Sequence, residues 1–225
     1  MDNLYKSLIV DDRYLLILNG LKNTIIITIG AIIIGISIGL FIALIQHNYK
    51  ENKKNNILYC LTSLYVKVIR GTPVLLQLMI IYYIIFRTAN INIILVGILA
   101  FGINSGAYVS EIFRAGIEAV DKGQMEAGKS LGLTYWETMR YIVLPQGFKI
   151  SLPPLGNEFV TLIKETSVAG YIGIMELTKS GDIIASRTYN YFFPLIITAI
   201  IYLILTLGIT RCLQFLEKGE SNVRG

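Results

Sequence analysis

The chain has 225 residues, 54% of them hydrophobic and only 16% charged, against about 25% charged in ordinary soluble domains, and this composition marks an integral membrane protein. Spans of about 20 residues and their connections consume most of such a length, which excludes a sizeable catalytic domain on the same chain and puts any energy source elsewhere. The net charge of +5 comes from basic residues scattered between apolar runs, so it makes no cationic face for nucleic acid and fits positive loops on the cytoplasmic side of a membrane.

The first fourteen residues carry Asp2, Asp11 and Asp12 and lack a basic start leading into an apolar stretch, so no cleavable signal peptide is expected and the N-terminus is read as retained. A charge-free first span runs from Thr24 to Ile45. Its Gly35 and Gly39 stand four apart, either to admit a neighbouring helix or as incidental glycines of an apolar helix. Ile57 to Phe86 is apolar except for Lys67 and Arg70, and Gly71, Thr72 and Pro73 are expected to kink or break it. Thr88 to Ser110 is uncharged but holds Asn104, Ser105 and Tyr108, followed by Glu111 and Arg114, which are spaced to pair locally as a gate or a structural ion pair.

Phe148 to Ile163 carries Pro153, Pro154, Asn157 and Glu158, too polar for a lipid-facing helix and expected inside a bundle. A short helix or re-entrant piece is expected over Val168 to Met175, and Tyr191 to Thr210 is the last span, with Pro194 in its first turn. The sequence therefore predicts an all-α protein of about five transmembrane helices, a single domain over residues 1–225. With the N-terminus outside, Lys50, Lys53, Lys54, Arg114, Lys122, Lys129, Arg140, Lys149, Arg211, Lys218 and Arg224 fall on the inner side and outnumber Lys6, Arg13, Lys22, Arg87, Lys179 and Arg187 on the outer side. That bias predicts the N-terminus outside, the C-terminus in the cytoplasm, and a cytoplasmic loop over roughly 119–149.

Chemistry-bearing residues are few. Cys60 and Cys212 lie in or beside apolar runs without paired spacing and read as packing residues, and the single histidine, His47, leaves neither a His-rich metal site nor a histidine-centred triad. Gly123 to Ser130 reads GQMEAGKS and satisfies the Walker A expression, which would make the chain an ATPase. That mechanism needs a strand before the loop and an α/β sheet around it. Here an apolar span precedes it, and the helix-forming Gln124, Met125, Glu126 and Ala127 favour a short interfacial helix.

From Glu126 the chain runs EAGKSLGLTYWETMRYIVLP. This resembles the EAA loop of ABC importer permeases, with Glu126, Ala127, Gly132, Ile142, Leu144 and Pro145 at the family spacing and Gly128 in place of the second alanine. The departure is expected to be a tolerated variation that weakens the helix by about 1 kcal/mol. GLKNTIIIT from Gly20, RGTPVLLQL from Arg70, GAYVSEIFRAGIEAV from Gly106 and NEFVTLIKETSVAG from Asn157 narrow the resemblance to the polar amino acid (histidine, glutamine and arginine) permeases.

The resemblance implies a type I importer fold in a bacterial cytoplasmic membrane. It also implies a non-catalytic subunit without a cofactor of its own, two partner ATPases that bind ATP and Mg, a second permease subunit identical or related to this one, and an extracytoplasmic amino-acid-binding protein. The loop is similar to a coupling helix, whose contact with the ATPase falls to Gly123, Glu126, Ala127, Gly128, Gly132 and Pro145.

A zwitterionic substrate needs donors for its carboxylate and acceptors for its ammonium near the bilayer midplane. Glu158 is the leading candidate, with Asn157 beside it and Thr161 one turn on, and a basic amino acid would supply its missing cation. The alternative is that Glu158 pairs with Arg70, Lys67 or a backbone amide. Asn104, Ser105 and Tyr108 can line the opposite wall or make packing hydrogen bonds, and Arg70 can meet a substrate carboxylate or fix the kink. A proton-coupled secondary transporter using Glu111 or Glu158 is the rival reading, but it leaves the EAA loop without a purpose. A membrane-embedded hydrolase lacks a zinc helix motif and a nucleophile elbow.

Overall fold

The computed structural model describes residues 5, 9–52, 56–88 and 90–221. Lys6, Lys53, Lys54 and Arg224, weighed above for sidedness, lie outside the described residues. The described residues contain helices, turns and loops and no strand.

Helix α1 (Tyr14–Asn52) is followed by α2 (Asn56–Arg70), α3 (Val74–Ile80) with a π turn over Ile81–Ile85, and α4 (Ile93–Glu118). Two short helices come next, α5 (Lys122–Ser130) and α6 (Tyr135–Thr138), and a π turn at Met139–Val143 leads into α7 (Leu144–Glu165). After a 3-10 turn at Thr166–Ile172, α8 (Leu177–Thr188) and α9 (Phe192–Ser221) complete the chain.

Three helical stretches, Val10–Tyr49, Ile93–Glu118 and Phe192–Phe215, are long and apolar enough to cross a membrane. The pair Ile57–Arg70 and Val74–Ile85 makes a fourth if taken as one broken span, bent by 111°. The expected break at Gly71–Thr72–Pro73 is therefore present and sharper than a kink. Ile57, Leu61, Leu64 and Val68 form one exposed stripe on α2, the spacing of a helix face turned to lipid, while Thr62 and Val66 are buried on the other side. The 22 residues of α7, at about 1.5 Å each, also suffice to cross, but their polar side chains keep α7 out of the apolar set. Pro153 and Pro154 sit inside α7 without breaking it.

The core is organised by α4. It runs parallel to α1, since Gly35 faces Ser105 and Gly39 faces Val109, while Gly102 and Gly106 of α4 face Ile34 and Ile38. A methyl group on Gly39 would come within 2.5 Å of the Val109 side chain and 2.8 Å of the Ser110 amide nitrogen, so these glycines admit the neighbouring helix and are not incidental. Helix α7 runs the opposite way along α4: Gly147 meets Ile117, Ser151 donates to the Ile112 carbonyl at 3.4 Å, and Glu158 meets Ser105. The largest apolar cluster, with Ile27, Leu78, Phe101, Leu162 and Ile174, joins α1, α3, α4, α7 and the turn before α8.

The expected piece after α7 is the 3-10 turn ending at Gly173, whose φ of 91° needs glycine. Helix α8 behind it packs on both α1 and α9 through Ile17, Leu177, Ile184 and Ile201. The GLKNT segment of α1 holds this junction. Asn23 donates to the Met175 carbonyl at 2.8 Å, Thr24 Oγ1 accepts from the Leu177 amide at 3.2 Å, and Gly20 lies where a methyl group would meet the Ser180 hydroxyl at 2.2 Å.

Candidate functional site

Two polar constructions stand out, a clipped hairpin between α4 and α7 and a charged cleft along α4. The hairpin begins where Asp121 Oδ1 accepts from the Gly123 amide at 2.6 Å, capping α5. Helix α5 stops at Gly132, whose φ of 79° lets the Leu133 amide reach the Gly128 carbonyl and the Gly132 amide reach the Lys129 carbonyl, both at 3.0 Å. This reciprocal pattern is a Schellman stop.

Thr134 then starts α6 with a capping box. The Glu137 amide donates to Thr134 Oγ1 at 3.3 Å, and Glu137 Oε2 accepts from the Thr134 amide and hydroxyl at 2.8 and 2.7 Å. The Thr134 amide, and then its hydroxyl, hold the Glu137 carboxyl below the usual glutamate value of 4.5. The π turn that follows ends with the Leu144 amide bonded to the Met139 carbonyl, an i to i−5 step that widens the helix where Pro145 has no donor to offer.

The GQMEAGKS segment lies within helix, apart from its place in any phosphate-cradling loop, so the Walker A match is a coincidence of composition. At Gly128 the packing gives glycine a reason beyond the expected tolerated variation. A methyl group there would lie 2.4 Å from Thr138 Cγ2 and 2.6 Å from its Oγ1, so glycine is what lets α6 pack on α5. Met125, Tyr135 and Leu144 close over Ile117, Val120, Met139 and Val143 beneath the hairpin, fixing it to the ends of α4 and α7. Glu126, Ala127, Lys129 and Ser130 are exposed, as is Leu131.

The cleft has a volume of about 550 Å³ and is lined by Arg70, Tyr108, Glu111, Arg114, Pro154 and Glu158 among others. Arg114 donates to Glu111 at 2.7 and 3.3 Å and to Glu118 at 2.9 Å, so the expected local pair is part of a longer ladder. Arg70 Nη1 lies 3.4 Å from Glu111 Oε2, and its guanidinium sits 5.6 Å from the centre of the Tyr108 ring. Arg70, Glu111 and Arg114 also line a second cleft of about 460 Å³ with His47, Tyr59 and Lys67, so the ladder is a wall shared by two clefts.

Glu158 is half-buried and accepts from the Ser105 hydroxyl at 2.8 Å. Its hydrogen bond is therefore to Ser105, and Arg70, which shares the cleft, pairs with Glu111. Thr161 is half-buried, Asn157 is exposed, and Asn104 is 2% exposed and donates to Gln77. The structure thus brings Arg70, Tyr108, Ser105 and Glu158 to one region and assigns Asn104 to a contact inside the bundle.

Sequence reasoning missed Gln77 and Glu176. Gln77 is the one polar residue in VLLQLMI, four positions after Pro73, which is a legible signal of a capping role. Glu176 is fully buried and caps α8 by accepting from the Thr178 and Lys179 amides at 2.6 Å each and from the Tyr202 hydroxyl at 3.2 Å. Glutamate is not among the favoured N-cap residues, so nothing in its spacing gives it away.

Residues 35–221 match the family described as binding-protein-dependent transport system inner membrane component. A putative glutamine transport system permease protein of Rickettsia prowazekii (strain Madrid E) is 40% identical over 208 residues, covering 92% of this chain and 93% of its own. The arginine transport system permease protein of Bacillus subtilis (strain 168) is 39% identical over 196 residues, 86% of this chain and 87% of its own. The crystal structure of an amino acid ABC transporter with histidines superimposes with a TM-score of 0.81 at 45% identity, covering 90% of this chain and 93% of that one. The MetNI methionine ABC transporter in an inward-facing conformation gives a TM-score of 0.80 at 18% identity, covering 93% of this chain and 98% of that one, which shows the shared fold alone. This chain belongs to the binding-protein-dependent inner membrane component family and is a multi-pass permease subunit of an amino acid ABC transporter.

Proposed function

We propose that this subunit imports polar amino acids, basic ones foremost, and is driven through α5 by two separate ATPases that bind ATP and Mg. The observation that carries this reading is the hairpin, a short helix with both ends capped, an exposed face, and an apolar underside locked to α4 and α7. Such a piece transmits a push to the bundle as one body. In the proposed complex a second permease, identical or related, completes the pathway, and an extracytoplasmic binding protein delivers the substrate. The N-terminus faces outside, and residues 119–149 and the C-terminus face the cytoplasm, in keeping with the positive bias of the connections.

The cleft supplies the substrate chemistry. Glu158, oriented by Ser105, takes a cationic group, while Arg70 and Tyr108 face it across the cleft with a charge suited to a carboxylate. Thr161 and Asn157 extend the Glu158 wall, and Asn104 holds the opposite wall from behind. The relatives named for glutamine and for arginine transport bracket this polar range.

The experiment is uptake of labelled amino acids into proteoliposomes holding the permease and its binding protein, with and without the ATPase and with the proton gradient kept or collapsed. Concentrative, ATP-dependent uptake is expected. Uptake that persists without the ATPase and dies with the gradient would instead establish a proton-coupled carrier. Glu158→Gln is expected to slow import of arginine, lysine or histidine more than that of glutamine, and an equal loss for all of them removes the charge-pairing role.

A further inference from the structure

Proline 73 removes the amide that would close the last turn of α2 onto the Ile69 carbonyl. The Gln77 side chain stands in for it. Its Nε2 donates to the Ile69 carbonyl at 2.8 Å, and to the Thr72 carbonyl and hydroxyl at 3.1 and 2.8 Å. Thr72 Oγ1 in turn donates to the Val68 carbonyl at 2.9 Å, so side chains finish the helix that the backbone cannot.

Two carbonyls fix which way the Gln77 amide points, because only its NH₂ end can serve them. Its Oε1 must face the other way, where it accepts from Asn104 Nδ2 at 2.9 Å. Tyr65 of α2 donates to the carbonyl of Ile103, the residue before Asn104. The residue after it, Ser105, donates to Glu158. Three consecutive residues of α4 therefore tie both limbs of the broken span to the carboxylate of α7. Arg70, the last residue of α2, lines the cleft immediately before that bend.

We propose that Gln77 is a positioning residue for transport: it replaces the amide missing at Pro73, fixes the angle between α2 and α3 against Asn104, and thereby sets Arg70 opposite Glu158 across the cleft. This rests on the reading of the cleft as the substrate path. Gln77→Leu keeps nearly the same bulk and loses all four hydrogen bonds. Gln77→Glu keeps the shape but sets carboxylate oxygens against two carbonyls.

Two measurements on the complete complex in proteoliposomes test it. The first is arginine uptake together with ATP hydrolysis per folded complex. The second is the distance between spin labels at Leu64→Cys and Ile84→Cys, both exposed positions, with Cys60 and Cys212 replaced by serine. In Gln77→Leu, uptake is expected to fall about tenfold, as for one lost charge-aligned contact, while hydrolysis stays within about twofold. The distance distribution should broaden, and Gln77→Glu should broaden it further.

A merely structural glutamine would lower the yield of folded complex while leaving uptake per folded complex unchanged, and that result overturns the proposal. So does an unchanged, narrow distance distribution in both variants. The distance measurement needs no transport, so it judges Gln77 even where wild-type uptake itself contradicts the importer reading.

Discussion

The seam between α1 and α4 and the hairpin between α4 and α7 both depend on glycine, yet they are built on different principles. The seam is long and repetitive: Gly35 and Gly39 from one helix and Gly102 and Gly106 from the other interlock over two turns, and van der Waals contact supplies the association that the hydrophobic effect cannot supply in lipid. The hairpin is short and self-contained. One glycine contact, one Schellman stop and one capping box define it, and its position relative to the bundle is set by a small apolar cluster. A repeated seam makes a rigid frame, whereas a locally capped clip keeps its shape while it is pushed.

The largest expected effect breaks the frame. Gly39→Val forces side-chain atoms into space already held by Val109 and the α4 backbone, and overpacking of this kind costs about 3 kcal/mol or more. The yield of folded protein and the unfolding midpoint in detergent should both fall sharply, and retention of the wild-type midpoint would show that α1 and α4 are not closely packed there.

A smaller effect is expected in the clip. Gly128→Ala gains about 1 kcal/mol of helix propensity, but a contact at 2.4 Å with Thr138 costs about 1–3 kcal/mol, so the clash outweighs the gain. The bundle should keep its unfolding midpoint while ATP-driven uptake declines, and Thr138→Ala in the same chain should restore uptake. A fully active Gly128→Ala protein would mean that the α5–α6 contact has no part in transmission.

The smallest effect is a pH dependence confined to the clip. Thr134 holds the Glu137 carboxyl below the value of an unfolded glutamate. Its contribution is therefore complete above the unfolded range and is lost as pH falls through the lowered folded value. Trp136, the single tryptophan, lies next to Glu137 and is exposed. Its fluorescence should change as the pH falls below the ordinary glutamate range, and Glu137→Gln should remove that transition. A transition that survives Glu137→Gln assigns the change to another group.

Much of this architecture was legible from residue order. The charge-free runs at Thr24 to Ile45 and Tyr191 to Thr210, the break at Gly71–Thr72–Pro73, and the helical rather than phosphate-cradling character of GQMEAGKS follow from hydropathy, proline chemistry and propensity. The spacing of Glu111 and Arg114 announced their pair, but not Arg70 as a further rung, because Arg70 comes from another helix, α2, whose packing against α4 through Val66 and Ala107 no local spacing shows.

Gly128 read as a tolerated small residue of weaker helix propensity; that a methyl group does not fit there depends on where Thr138 lies. In the cleft, the polar residues of α4 read as one wall, but adjacent helix positions point some 100° apart. Asn104 consequently turns to Gln77 and Ser105 to Glu158. That difference of one residue separates a tie to α3 from a tie to the cleft residue Glu158, and it depends on where α3 and α7 lie.

The central claim is that the exposed face of α5 transmits force from the ATPase. Ala127→Cys, on that face, with Cys60 and Cys212 replaced by serine, can be cross-linked by a short reversible reagent to single cysteines placed on the surface of the ATPase partner. The account predicts a cross-linked pair whose formation changes with nucleotide, with uptake blocked while the link is closed and restored on reduction. Undiminished uptake with the link fully closed, or no link to the ATPase from any exposed position of α5, would contradict it.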